Sequence, residues 1–249
     1  MTAARQRPIP VPASVPSPTL GREPGRGGWG QRSENGPSQQ RIPVGPQFDY
    51  LKDPTEISRR SFALIEAEAD LSRFPRQVKS LAVRLAHAAG DCAILGSLAW
   101  SRGAVAAGRK ALAVGAPVLV DATMVAAGIT IDPSRVICTL RDPETARQSA
   151  AEGTTRSAAA VERWRPYLPG AVVAIGNAPT ALFHLLELLA QGAPKPALIL
   201  GFPVGFVGAS EAKATLAAFG QGLGFITLHG RRGGSALAAA AVNALAGGR

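Results

Sequence analysis

Ala171-Val172-Val173-Ala174-Ile175-Gly176-Asn177-Ala178-Pro179 carries a β-branched apolar run straight into a glycine turn and a proline suited to the first turn of a helix. The same order returns twice. Ala197 to Leu200 leads into Gly201-Phe202-Pro203-Val204-Gly205-Phe206-Val207-Gly208, and Phe225 to Leu228 leads into Gly230-Arg231-Arg232-Gly233-Gly234-Ser235. Glycine lets a backbone come close to a ligand, and the N–H groups of a helix N-terminus favour carboxylate or phosphate. Three such turns at the carboxyl ends of neighbouring parallel strands converge on one crevice. The predicted ligand is large and negative, with Asn177, Gly205, Gly208, Gly233 and Gly234 among its contacts.

Working outward, the rest of the chain alternates in the same way. Asp53-Pro54-Thr55-Glu56 reads as a capping box opening a helix that runs to about Asp70, and a second helix opens near Pro75 and stops at Gly90. Ala116 to Val120 and Val136 to Leu140 read as short buried strands; Arg141-Asp142-Pro143 ends one and caps the next helix, and Thr154 or Thr155 caps another. Strand and helix joined by short connections specify an α/β fold with a mostly parallel, doubly wound sheet.

Residues 1–47 differ in kind. They hold nine of the 20 prolines, seven glycines and six arginines against two acids, with almost no periodic apolar residue. Such a segment cannot bury enough surface to offset its ordering entropy, so it reads as a disordered extension ahead of one α/β domain spanning residues 48–249. The formal charge is +10, and removing the extension leaves 21 basic against 15 acidic residues. A moderately basic domain points to acidic partners, but 5% aromatics without interleaved basic residues argues against nucleic acid. Cys92 and Cys138 match neither a zinc spacing nor a disulfide framework and read as reduced core thiols. The stretch from Pro166 to Leu186 lacks Asp, Glu, Lys and Arg, yet prolines and glycines divide it into strand, turn and helix, so a soluble cytoplasmic protein without a membrane span is expected.

On the second helix, Val78, Leu81, Ala82, Leu85 and Ala89 project onto one apolar stripe, with His87 opposite and Arg84 beside it. That placement suits a ligand and suits a solvated surface equally. His184, one turn from Glu187, reads as half of a surface pair, and His229 ends a strand. In Gly153-Thr154-Thr155-Arg156-Ser157 a cation stands in the first turn of a helix, where the macrodipole disfavours it by about 0.3–1 kcal/mol. Either a bound anion or a pairing with Glu152 resolves the conflict.

Several of these residues fall in an order that resembles the precorrin-8X methylmutase family. The resemblance rests on Phe48-Asp49-Tyr50-Leu51, Arg60-Ser61-Phe62, Glu66-Ala67-Glu68-Ala69-Asp70, Arg84 with His87, Gly115-Ala116-Pro117 and Thr139-Leu140-Arg141-Asp142-Pro143. It continues through Thr155-Arg156-Ser157, Gly176 to Phe183, Gly201 to Ala209 and Gly233-Gly234-Ser235-Ala236, and it is thin from Asp91 to Ala104. It implies a flavodoxin-like three-layer α/β/α sandwich, a homodimer with the pocket near the interface, and no cofactor or protein-bound metal. It further implies a 1,5-sigmatropic shift of a methyl group from C-11 to C-12 of a corrin ring, giving hydrogenobyrinate, with His87 as acid/base and Ser61, Arg84 and Arg156 contacting the substrate. Any cobalt would belong to the substrate.

Two other functions fit a pocket of this kind. A corrinoid carrier would bind without turnover and would not need a proton donor at His87. A flavin or nucleotide binder would use the glycine turns for phosphate, but no Gly-x-Gly-x-x-Gly follows the first strand and no Walker lysine follows any turn.

Overall fold

The computed structural model describes residues 48–219 and 222–247, so the expected disordered extension lies outside the described residues. Six strands form one sheet: β1 (Leu98–Trp100), β2 (Val118–Val120), β3 (Val136–Ile137), β4 (Val172–Ile175), β5 (Leu198–Gly201) and β6 (Phe225–Leu228), in the order β1-β6-β5-β4-β2-β3. All neighbours are parallel except β1, which closes the β6 edge antiparallel with Leu98 opposite Leu228. The five parallel strands follow the flavodoxin order, with the topological switch between β2 and β4.

Every residue of β2, β4, β5 and β6 is buried, as a sheet covered on both faces requires. Because strand side chains alternate, Val118, Val120, Val172, Ala174, Leu198 and Leu200 meet helices α2 (Arg76–Ala89), α3 (Ala104–Ala113), α4 (Thr123–Gly128) and α9 (Ser235–Leu245). Leu119, Val173, Ile175 and Ile199 meet the opposite layer of α6 (Arg156–Glu162), α7 (Pro179–Ala190) and α8 (Ala209–Phe219). The predicted three-layer, doubly wound architecture is the one observed. Helix α1 (Pro54–Glu68) stands outside the layers against α2 and buries only Ile65.

The switch-point crevice is filled by the chain itself. Asp121, the residue after β2, is fully buried and accepts hydrogen bonds from the backbone N–H groups of Gly176 (2.9 Å), Asn177 (2.9 Å) and Ala178 (2.7 Å) at the end of β4. Burial pushes its carboxyl above the ordinary range while these three donors pull the other way. The first glycine turn therefore does not offer its N–H groups to a ligand, which corrects the expectation that all three turns would.

Other boundaries move for local reasons. Strand β3 stops at Ile137, because Thr139 turns inward to donate to the Ala160 carbonyl (2.8 Å) and to accept from the buried Trp164 indole (3.1 Å). Asp142 makes no side-chain cap for α5 (Pro143–Glu152) and instead pairs with Arg163 at 3.1 Å. Asp53 does cap α1 through the Glu56 N–H at 2.7 Å, but Glu56 turns to Arg59 and Arg60 rather than closing the box. Strand β1 was absent from the sequence expectations. Only three residues long, it is held by register with β6, by Arg73 donating to the Leu98 carbonyl (2.8 Å), and by Ser101 Oγ accepting from the Phe225 N–H (2.9 Å). Cys92 and Cys138 are free, half-buried thiols whose ionisation burial makes harder. Among the described residues, no helix is long and apolar enough to cross a membrane.

Asp121→Ala leaves three N–H groups at the switch point without their acceptor and is expected to lower unfolding stability by about 3 kcal/mol or more. At this chain length that corresponds to a fall in Tm of about 6–12 °C, measurable by calorimetry. Asp121→Asn, which keeps one carbonyl acceptor, should lose less; an unchanged Tm for both would remove the carboxylate from this role.

Candidate active site

Helix α2 is positioned by its apolar face and stopped by Gly90, whose φ of 62° gives the left-handed cap that glycine adopts without strain. Val78, Leu81, Ala82, Val83, Leu85 and Ala86 are buried, while His87 is exposed on the opposite side, as the helical projection predicts. Ala89, placed on the stripe by sequence, is exposed where the helix ends.

Helix α1 brings the partners of His87. Ser61 Oγ lies 2.8 Å from His87 Nδ1, and the Phe62 ring lies 5.1 Å from the imidazole at 59°. The Arg84 guanidinium stands 5.3 Å from the centre of that same Phe62 ring, so one aromatic side chain spaces the histidine from the arginine. Ser61 engages Nδ1 and leaves Nε2 as the outward ring nitrogen. A hydroxyl rotates to accept from or donate to Nδ1, so the Ser61 contact accommodates both protonation states of the ring. The arrangement holds the imidazole in one orientation with its far nitrogen facing outward.

The second and third glycine turns pack on each other beside the end of α2. A side chain at Gly233 would collide with the carbonyl oxygens of Phe202 and Pro203, and one at Gly176 would fall 2.8 Å from the Ser235 Cα. These two glycines serve turn-to-turn contact. Gly205, Gly208 and Gly234 instead have φ values of 150°, 78° and 127°. The N–H groups of Gly205 and Gly234 are taken by the carbonyls of Arg231 (3.3 Å) and Phe202 (2.8 Å). Arg232 joins the third turn to the residue after the α2 cap through a 2.5 Å ion pair with Asp91. A depression of about 330 Å³ between Ala88, Asp91, Val204, Arg232 and Gly233 connects the helix end with both turns.

On the other flank, Thr155 Oγ1 caps α6 by accepting from the Ala158 N–H and lies 2.8 Å from Thr180 Oγ1 of α7. This contact joins the start of α6, which carries exposed Arg156, to the first turn of α7, which follows exposed Asn177. Among the described residues Arg156 forms no ion pair, and Glu152 accepts from Gln148 instead, so none of them relieves the predicted dipole conflict. His184 pairs with Glu187 (3.3 Å) as expected, and also with Glu162 (2.8 Å).

Sequence reasoning missed Lys213. Its position in Ala209-Ser210-Glu211-Ala212-Lys213 looks like a solvated helix face, yet the side chain is fully buried and its ammonium donates to the Arg232 carbonyl at 2.6 Å. Burial pulls its pKa down to about 8. It pins the third turn from beneath and places a cation under it. Phe62 was part of a recognised motif, but its role as spacer needed the packing of α1 on α2.

A mostly parallel doubly wound domain thus presents an exposed histidine held by a serine, beside an arginine that forms no ion pair among the described residues, which is the make-up of a candidate binding or catalytic site. Residues 56–247 match the family model described as precorrin-8X methylmutase. Similar proteins include the precorrin-8X methylmutase of Pseudomonas aeruginosa, 56% identical over 80% of this chain and 98% of that protein, and that of Sinorhizobium sp, 54% identical over 81% and 98%. The cobalt-precorrin-8 methylmutase of Priestia megaterium is 34% identical over 77% and 87%. The crystal structure of a precorrin-8X methyl mutase from Thermus thermophilus superposes with a TM-score of 0.70 at 39% identity, covering 78% of this chain and 98% of that one. The chain belongs to the precorrin-8X methylmutase family and is an isomerase of that class.

The buried ammonium gives a signed pH prediction. With its folded pKa near 8 and an ordinary value of 10.5, the unfolded chain binds more protons between these limits. Lys213 therefore makes stability rise with pH across that window, by on the order of 1–3 kcal/mol. Lys213→Met should flatten this rise in urea melts at pH 7.5 and 10; a slope identical to wild type would show that the ammonium is solvated.

Proposed function

We propose that the chain converts precorrin-8X to hydrogenobyrinate by a 1,5-sigmatropic methyl shift from C-11 to C-12 of the corrin ring, with His87 as the acid/base residue. The observation that carries the reading is the clamped imidazole: Ser61 on Nδ1, Phe62 against the ring, Nε2 outward. In the shift, the C-11 to methyl bond breaks as the C-12 to methyl bond forms and the ring's double bonds move. The chemistry uses no nucleophile and no net electrons. Protonating the conjugated macrocycle lowers the barrier, and the proton returns to the imidazole afterwards, as general acid/base catalysis requires.

Arg84 and Arg156 hold the peripheral acetates and propionates, Asn177 contributes its side chain, and Gly205, Gly208, Gly233 and Gly234 shape the floor on which the macrocycle rests. The relatives named for the metal-free substrate are more similar, at 54–56% identity, than the cobalt-precorrin-8 methylmutases at 30–34%, and this favours precorrin-8X. A homodimer accounts for the apolar surface of α1, where Ile57 and Leu64 are 43% and 68% exposed, and for Phe206 and Val207, which are 86% and 89% exposed. The enzyme is cytoplasmic, and residues 1–47 take no part in its catalysis.

His87→Ala is expected to reduce turnover by roughly 10²- to 10⁴-fold, followed by the absorbance change from substrate to product. Product affinity should change much less, because the arginines still hold the carboxylates, and Tm should move little because the side chain is exposed. Near-wild-type turnover would contradict the acid/base role and favour a corrinoid carrier.

A further inference from the structure

We infer that the groove between α1 and α2 is a further carboxylate subsite, holding peripheral arms of the same corrinoid beyond Arg84; this rests on the corrinoid reading above. The groove encloses about 340 Å³ between Phe62 and Glu66 of α1 and Arg76, Lys79, Ser80 and Arg84 of α2. Arg76, Lys79, Ser80, Arg84 and His87 recur at helical spacing on one face, so the cations form a stripe that ends at the histidine. At about 1.5 Å rise per residue, Lys79 lies about 12 Å and Arg76 about 16 Å along the helix from His87. Phe62 and Arg84 belong to both regions, which makes the groove continuous with the site.

Its charge is unbalanced. Three cations face one carboxylate, Glu66, and among the described residues none of the four makes an ion pair. Arg109 of α3 adds a further positive charge by donating to Ser80 Oγ at 3.3 Å. Arg76 and Lys79 also stand in the first turn of α2, which contains no acid and has no side-chain cap. Positive charge is disfavoured at that end of a helix, so the stripe works against local stability and is relieved by a bound anion. Apolar walls from Phe62 and Val83 suit the methylenes of a propionate, with the cations placed to meet its carboxylate.

The test uses the full chain and the double variant Arg76→Gln/Lys79→Gln, titrated with hydrogenobyrinate and with hydrogenobyrinate whose peripheral carboxylates are amidated. The variant should weaken the acid form about 5- to 30-fold, with the loss carried in KM rather than kcat, and flatten the salt dependence of binding. Both proteins should bind the amidated form alike, and the variant's Tm should equal or exceed that of wild type. Equal affinity of variant and wild type for the acid form would overturn the subsite while leaving the corrinoid reading intact. A fall in Tm would assign the charges to the fold and also overturn it. A wild-type chain that neither binds nor forms hydrogenobyrinate would sink both readings.

Discussion

Three backbone N–H groups converge on the carboxylate of Asp121, and this contact decides what the end of the sheet can offer a ligand. In open parallel sheets the crevice at the topological switch point commonly receives the ligand, because strand ends splay there and the following helix offers unpaired N–H donors. Here the residue after β2 crosses the gap and takes those donors from the end of β4. A phosphate bound at Gly176 to Ala178 would have to displace a buried carboxylate. The flavin or nucleotide reading, open from the glycine turns alone, loses its cradle.

With that crevice closed, we place the proposed anionic ligand on the rim built by α1, α2 and the second and third turns. The turns are locked to each other by close backbone approach at Gly233, to α2 by the Arg232–Asp91 pair, and to α8 by the buried Lys213 ammonium. Such a floor is rigid and positively biased from below. His87 comes from α2, which is anchored in the layer over the sheet, while its partners Ser61 and Phe62 come from α1, which packs outside the layers and buries a single residue. The proposed acid/base group is thus held between a firmly packed helix and a lightly packed one. In the proposed reading a large polycarboxylate spans from this pair to the two turns.

How much of this the sequence revealed depended on the range of the interaction. Local patterns were legible: β-branched runs became β2, β4, β5 and β6, Gly90 ended α2 and Thr155 capped α6, because each is decided within a few residues. His87 faces outward as its helical projection required. The carboxylate–turn contact was not legible, since Asp121 and Gly176 are 55 residues apart and an acid after a strand looks like any turn residue. Lys213 was missed for a related reason. With its neighbours Ser210 and Glu211 it looks like part of a solvated stripe, and only the arrival of the Arg232 carbonyl from the next βα unit explains its burial. Strand β1 lacked any strong propensity of its own and exists because the β6 edge needs a partner.

In the proposed complex the macrocycle lies over His87, and Asp121 keeps the switch-point crevice. A crystal structure of the chain with hydrogenobyrinate bound tests this most directly. The predicted result has His87 Nε2 within hydrogen-bond reach of the macrocycle, about 2.6–3.2 Å, and the Asp121 carboxylate still on the N–H groups of Gly176, Asn177 and Ala178. A product carboxylate seated on those three N–H groups, with Asp121 displaced and His87 facing solvent, would contradict it.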